Sequence, residues 1–416
     1  MVDNTKSVLV VGFNTRPLTY SLKKAGYEVY AVDFFGDLDL YPNVRDSFVL
    51  MKELGTDYST IKDSYSKLLA KFAIKMLNKY PEIDYLVIGS GLDDAFEERL
   101  SILNKIKEKN YKIQNLNNDL KTIENARNIE KIYDFLKLHN FTTPFMIPYE
   151  KIKSYKHKLQ FPLIFKKFRS AGGINVKKIE NFKELSTFSN SFELKMFNPS
   201  DWMIQEYIEG KPVSSTTISN GRECEVISIN HQIIGEKLLN PPKEFIYCGN
   251  IVPAEISKDD EKIISRISLL LCKDLGLKGI NGFDYVLKDH NPYLMEINPR
   301  IPGSIRASER SLDLNLLDLH VKSFELRQWK LIKKTARSKK PTGFTTKLIF
   351  FAPKEIDKNL LVRINNLKYV HDKSEPIKSV LKGEPLCTVL YKGRTLQESY
   401  KGAIEIVSKI NEIIKK

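Results

Sequence analysis

The stretch DYVLKDHNPYLMEINPR, Asp284 to Arg300, places two carboxylates (Asp284, Glu296), an amide (Asn298) and a guanidinium (Arg300) close together. DYVL and YLMEIN alternate in polarity as half-buried strands do, and KDHNP between them carries turn residues. An antiparallel hairpin would bring the Asp, the Glu and the Asn carbonyl together as hard oxygen ligands. Three are too few for an all-protein cage, but they suit Mg²⁺ shared with nucleotide phosphates. Arg300, just past the strand, could neutralise a transferring phosphoryl group. A hairpin with two exposed acids is the plainer reading, and this stretch alone leaves the choice open.

A second group lies upstream in PLIFKKFRSAGGINV. Lys166 ends an apolar strand, and the loop from Arg169 to Asn175 carries Gly172 and Gly173. A lysine beside a glycine-rich loop can hold phosphates, because backbone N–H groups approach closely while the ammonium supplies charge. The GxxxxGK[ST] pattern is absent, and an ordinary hairpin turn would look the same.

Other elements must position these groups. SVLVVGF, EVYAVDFF and DYLVIGS read as buried strands alternating with helices such as RPLTYSLKKAGY and KLLAKFAIKMLNKY, which predicts a parallel sheet. Asp33 stands where a dinucleotide fold keeps its ribose acid, yet Gly12-Phe13-Asn14-Thr15 lacks the expected glycines. Ligands of such sheets sit at the strands' carboxyl ends, here Asn14 to Arg16, Asp33 to Asp37, and Ser90-Gly91. Ordinary turn chemistry explains these residues equally well. As substrate contacts, Arg16 is the candidate for a carboxylate and Asp93 or Asp94 for an amine. Asn118 to Asn140 reads as helical, and WMIQEYIEGKPVSSTTIS as two strands about Gly210. SLDLNLLDLHVKSFELRQW reads as one long helix packed through Leu312, Leu316 and Leu319. Lys330 to Lys340 reads as a basic linker, followed by strands TTKLIFFA and PLCTVLY and an amphipathic helix.

The chain has 416 residues, enough for two or three domains, and ordinary globular composition at 42% hydrophobic and 10% aromatic. Its net charge of +15 is spread over helix-like segments interleaved with acids. The one dense basic run lacks an aromatic platform, so nucleic acid is not expected as a partner, whereas anionic small substrates are. No apolar run approaches the roughly 20 residues that span a bilayer, and the start has no basic n-region or cleavage site. Cys224, Cys248, Cys272 and Cys387 never form a CxxC pair, which argues against zinc and for reduced thiols in a cytoplasmic protein.

Taken in order, Lys166, the Gly172-Gly173 loop, QEYIEG (Gln205 to Gly210), FDY and MEINPR resemble the nucleotide site of the ATP-grasp superfamily between Asn118 and Trp329. GEPLCTVLYKGRTLQESYKGA, Gly383 to Ala403, resembles the small terminal domain of a biotin-carboxylase-related branch best known from archaea, largely of ATP-dependent carboligases. The resemblance implies an α/β architecture. It has a parallel-sheet domain over 1–117, a two-lobed ATP-grasp domain over 118–329 (lid about 140–208), the linker 330–341, and a small α+β domain over 342–416.

It further implies that Lys166 contacts phosphates and the adenine edge, and that Gly172 and Gly173 belong to a closing lid. Gln205, Glu206, Tyr207 and Ile208 would form the hinge strand, reading adenine through backbone groups of 206 and 208. Asp284, Glu296 and Asn298 would bind Mg²⁺ (or Mn²⁺), and Arg300 would stabilise the transferred phosphoryl group. The implied activity is ATP-dependent activation of a carboxylate as an acyl phosphate and its joining to an amine, in a protein that resembles homodimeric enzymes. Alternatives are activation of bicarbonate or another carboxylate without amide formation, and a silent ATP-binding regulatory module. The chain departs from the family at three places. Ile129, with Lys131 nearby, stands where a lysine is usual, and Lys211-Pro212 replaces the ribose acid, with Glu209 as a weak substitute. Ile301-Pro302-Gly303-Ser304-Ile305 stands where biotin carboxylases carry a bicarbonate-handling run.

Overall fold

A computed structural model describes residues 5–55, 61, 64–169, 172–189, 198–377 and 379–415. Ser170 and Ala171 of the expected phosphate loop and residues 190–197 of the expected lid lie outside them. Three sheets organise the chain.

The first is parallel, ordered β3-β2-β1-β4-β5, from β1 (Ser7–Gly12), β2 (Glu28–Asp33), β3 (Asp46–Val49), β4 (Tyr85–Ile88) and β5 (Gln114–Asn115). Every residue of β1 is buried, as a strand covered on both faces requires. The second sheet is antiparallel, ordered β6-β9-β7-β8, from β6 (Met146–Pro148), β7 (Leu163–Lys167), β8 (Val176–Ile179) and β9 (Trp202–Glu206).

The third is the largest. It comprises β10 (Lys211–Asn220), β11 (Cys224–Ile234), β12 (Tyr247–Val252), β13 (Lys278–Lys288), β14 (Asn291–Asn298), β15 (Phe344–Phe351), β16 (Val370–His371) and β17 (Pro385–Gly393). Its order is β14-β13-β10-β11-β12-β15-β17-β16. The expected hairpin is its β13–β14 edge. Only Asp289 and His290 connect the strands, with φ of 47° and 62°, the positive-φ pair of a type I′ turn whose twist matches its strands.

The structure corrects two expectations. The long helix after Arg300 is two, Ile305–Leu312 and Leu316–Ser323, because Asp313 turns left-handed (φ 50°) and Asn315 caps the second by accepting the Asp318 N–H. The basic linker is instead mostly the helix Trp329–Ser338. Trp329 and Ile332 pack into the core that holds Leu316 and Val321, while Lys333 pairs with Glu223 and Arg337 with Glu225. Its charge is the solvated face of an amphipathic helix. The C-terminal segment, expected as a small domain, continues the large sheet, because β15 pairs with β12 and β17 with β15. Gly249 (φ 139°) permits that junction, since a Cβ there would lie 2.0 Å from the Lys347 carbonyl.

Among the described residues no helix is long and apolar enough to cross a membrane, and the four cysteines are free thiols.

The C-terminal segment also clasps the parallel sheet. Asp39 accepts the backbone N–H groups of Asp372 (3.2 Å) and Lys373 (3.0 Å). Arg16 donates from Nε to Asp372 (2.5 Å) and lies 3.5 Å from Asp39, with its side chain 5% exposed. Removing one member of such a buried pair strands the other charge. Arg16→Met is therefore expected to lower unfolding free energy by about 3–5 kcal/mol in urea titrations. A loss below about 1 kcal/mol would show the pair to be incidental.

Candidate active site

One cavity of about 910 Å³ opens between the three sheets, and Lys166, Gly172, Gly173, Gln205, Glu206, Tyr207, Ile208, Asp284, Glu296, Asn298 and Arg300 all line it. Register explains the acidic part. Asp284 on β13 lies opposite Glu296 on β14, Gly282 lies opposite Asn298, and the ladder shifts between Asp284 and Tyr285. Cross-strand partners of like charge repel. Asp284 accepts from Gln232 Nε2 (2.9 Å) and Asn298 Nδ2 (2.8 Å), two neutral donors that leave the charge unbalanced. Burial first, then Glu296, push its pKa up to about 7.

Glu296 pairs with Arg127, a residue the sequence reading missed. Arg127 precedes the helix Ile129–Leu138 and grips Asp94 through two nitrogens, at 2.9 and 2.8 Å. Against burial, Glu296 and Asp94 hold it firmly cationic. The family lysine was sought at Ile129, which lines the cavity but carries no charge; Lys131, the nearby substitute, is not among the lining residues. The signal was present two positions earlier, as an arginine between two helices.

Arg300 leaves β14 through a turn in which its N–H bonds the Asn298 carbonyl (2.8 Å). Asn118 fixes this turn, donating to the Pro299 carbonyl (2.9 Å) and the Asn281 side chain (2.8 Å). The Arg300 guanidinium pairs with Asp93 through Nε. It also donates to the Ile301 carbonyl (3.1 Å) and Asn298 Oδ1 (3.4 Å). Burial opposes ionisation of Asp93, yet Arg300, Arg127 and Arg99 hold it below the usual carboxylate range. Two expectations are corrected here. Asp93 is not free for an amine in this structure, because it pairs with Arg300 and does not line the cavity. Arg16 does not face a substrate carboxylate either, because it is buried against Asp372 and Asp39 and does not line the cavity.

The opposite wall carries a further cation. Lys166 on β7 has its pKa lowered to about 8 by burial, with Glu296 pulling the other way. Gly173 (φ 80°) lies so close to the 243–247 segment that a Cβ would meet the Phe245 carbonyl at 1.8 Å. Any side chain there would lift the loop off the large sheet. Beyond β9 the hinge is partly committed. Glu206 donates its N–H to Phe145 (2.8 Å), and Tyr207 donates to Pro162 (3.4 Å). Gln205 donates to Tyr133 (2.7 Å), whose hydroxyl donates to the Leu294 carbonyl (2.8 Å). That relay ties the hinge to β14.

Among the described residues no group of three or more His, Cys, Asp or Glu could hold a metal ion. The donor set here is two opposed carboxylates and one amide oxygen, which fits a divalent cation whose other ligands come from phosphates and water. Asp284 titrates at about 7 folded and about 4 unfolded. The folded state therefore binds the extra proton, and stability falls as pH rises through that window. Asp284→Asn is expected to stabilise the ligand-free protein by about 1–3 kcal/mol near pH 8 and hardly at all near pH 4. Melting curves across this range measure it, and an equal change at both ends would refute the assignment.

Residues 126–304 match the ATP-grasp domain family. An uncharacterized protein of Methanocaldococcus jannaschii is 29% identical over 398 residues, covering 94% of this chain and 89% of that protein. Among solved structures, L-amino acid ligase from Bacillus licheniformis superposes with a TM-score of 0.67 at 18% identity, covering 97% of each chain. The biotin carboxylase domain dimer of Hydrogenobacter thermophilus 2-oxoglutarate carboxylase, in complex with MgADP, ADP and bicarbonate, gives 0.69 at 13% identity, covering 96% of this chain and 89% of that one. The cavity-lining residues from Lys166 to Arg300 thus lie in a segment, residues 126–304, that matches the ATP-grasp domain family, and the fold is similar to that of a biotin carboxylase domain.

Proposed function

We propose that this protein is an ATP- and Mg²⁺-dependent ligase that activates a carboxylate as an acyl phosphate and joins it to an amine, releasing ADP and phosphate. The observation that carries this reading is the convergence of Lys166, the glycine loop, the Glu206–Ile208 hinge, the Asp284–Glu296–Asn298 oxygens and Arg300 on one cavity. Both L-amino acid ligase and the MgADP-bound carboxylase domain have this fold.

A carboxylate repels nucleophiles and has no good leaving group. In the proposed reaction its oxygen attacks the γ-phosphorus of ATP, and the bond to ADP breaks. The amine then attacks the acyl carbon, and phosphate leaves. The Glu206 carbonyl and Ile208 N–H would frame the adenine edge, while Lys166 balances phosphate charge. Gly172 and Gly173 let the loop approach closely enough to exclude water that would hydrolyse the acyl phosphate. A divalent cation held by Asp284, Glu296 and Asn298 would supply charge neutralisation on the phosphates. Arg300 would release Asp93 in part and meet the transferred group. Ile301, Pro302 and Ile305 line the cavity beside Arg300, an apolar wall that suits an organic carboxylate better than bicarbonate. A homodimer is the proposed assembly, after the dimer of the carboxylase-domain neighbour.

The test is ADP release from MgATP with pooled amino acids, carboxylates and amines. Asp284→Asn and Glu296→Gln are expected to lower turnover by about 10³-fold or more; near-normal rates in either would remove the metal-site assignment. Arg300→Ala is expected to lower kcat by about 10²–10³-fold with little change in nucleotide affinity. Lost nucleotide binding at a normal rate would contradict its role on the transferred group.

A further inference from the structure

The cavity also reaches the carboxyl ends of β1 and β2, where Phe13, Asn14, Phe35 and Asp37 line it. Four acids crowd this end, and three have partners. Asp33 accepts the Thr15 N–H (2.6 Å), the Thr15 hydroxyl (2.8 Å) and the Gly36 N–H (2.7 Å). Asp39 accepts two backbone N–H groups, and Asp372 pairs with Arg16. Asp37 differs. It is 7% exposed and lines the cavity, and among the described residues its carboxylate has no hydrogen bond and no ion pair. Burial, then Asp372 and Asp33, push its pKa well above the usual range, and Arg16, which is committed to Asp372, offsets them only in part. On the neighbouring strand end, Asn14 Oδ1 is buried and likewise lacks a partner among the described residues.

Buried acceptors without donors are rare and costly. Asp37 lines the cavity, so a group there with several N–H donors and a positive charge would meet its carboxylate. Phe13 and Phe35, packed edge to face with centroids 4.9 Å apart, supply an apolar surface next to it. Lys347, 8% exposed and donating to the Gly303 carbonyl (2.9 Å), faces the same cavity. Its charge disfavours an ammonium at that wall and directs it toward Asp37.

We infer that Asp37 binds the primary ammonium of a substrate whose body is apolar, an assignment that rests on the ligase reading. The ammonium would belong either to the amine that is acylated or to an amino group on the activated carboxylate.

Calorimetric titration of the full chain, with and without MgADP, tests it. The probes are the twenty common amino acids and simple primary amines such as 2-phenylethylamine, each paired with its deaminated counterpart (3-phenylpropionate for phenylalanine). At least one amine-bearing probe is expected to bind roughly tenfold or more tightly than its counterpart. Asp37→Asn should erase that difference while leaving MgADP affinity near wild type and the melting temperature no lower than wild type. Binding of simple amines points to the acylated partner, and binding confined to amino acids points to the carboxylate substrate. If Asp37→Asn does not fold, the paired probes on the unaltered protein decide. The inference is overturned if no amine outbinds its counterpart, or if Asp37→Asn keeps the preference. Absence of MgADP binding would instead defeat the ligase reading, and the titrations without nucleotide would still decide the role of Asp37.

Discussion

Two carboxylates that the β13–β14 register sets opposite each other are the constraint on which this structure turns. Asp284 and Glu296 cannot separate without breaking the hairpin, and the hairpin is fixed by its two-residue turn and by the pairing of β13 with β10. Like charges held this way inside a cavity cost free energy. A stability-optimised protein would replace one of them. Keeping both is expected where a cation arrives with the substrate, because strain of this kind clusters at functional sites.

The surrounding groups read as a response to that constraint. Charges alternate in space from Glu296 to Arg127 to Asp94, and from Arg300 to Asp93. Both chains end in acids of the segment that follows β4, so the parallel-sheet domain sets the positions of the cations. Asn118, next to β5, holds the turn that carries Arg300. The small sheet brings Lys166 from the other side, and the Gln205–Tyr133–Leu294 relay couples its hinge to the acidic hairpin. Movement of the small sheet would therefore be felt at both poles of the cavity, as closure over a nucleotide requires.

Much of this was legible in the sequence because it is local. The alternation in DYVL and YLMEIN predicted the hairpin, and Lys166, Gly172 and Gly173, singled out as a possible phosphate-holding group, line the same cavity as that hairpin. What failed depended on distant partners. Arg16 read as a free guanidinium because Asp372 is remote in the chain. Asp93 read as a substrate acid because nothing nearby announced Arg300. The run Lys330 to Lys340 read as a linker because its apolar face is narrow, only Trp329 and Ile332, and its cover comes from another part of the chain. Asp313 split a helix whose periodicity continues through it, since a single left-handed residue leaves the hydrophobic pattern intact.

The central claim is that the opposed carboxylates share a divalent cation with a nucleotide lying between the small and large sheets. A crystal structure with a non-hydrolysable ATP analogue and Mn²⁺, using the metal's anomalous signal, tests it most directly. The account predicts a metal peak about 2–2.5 Å from oxygens of both Asp284 and Glu296, with Lys166 on the phosphates and adenine against Glu206 to Ile208. A nucleotide bound elsewhere, or one bound in this cavity with Glu296 still paired to Arg127 and no metal at the hairpin, would contradict it.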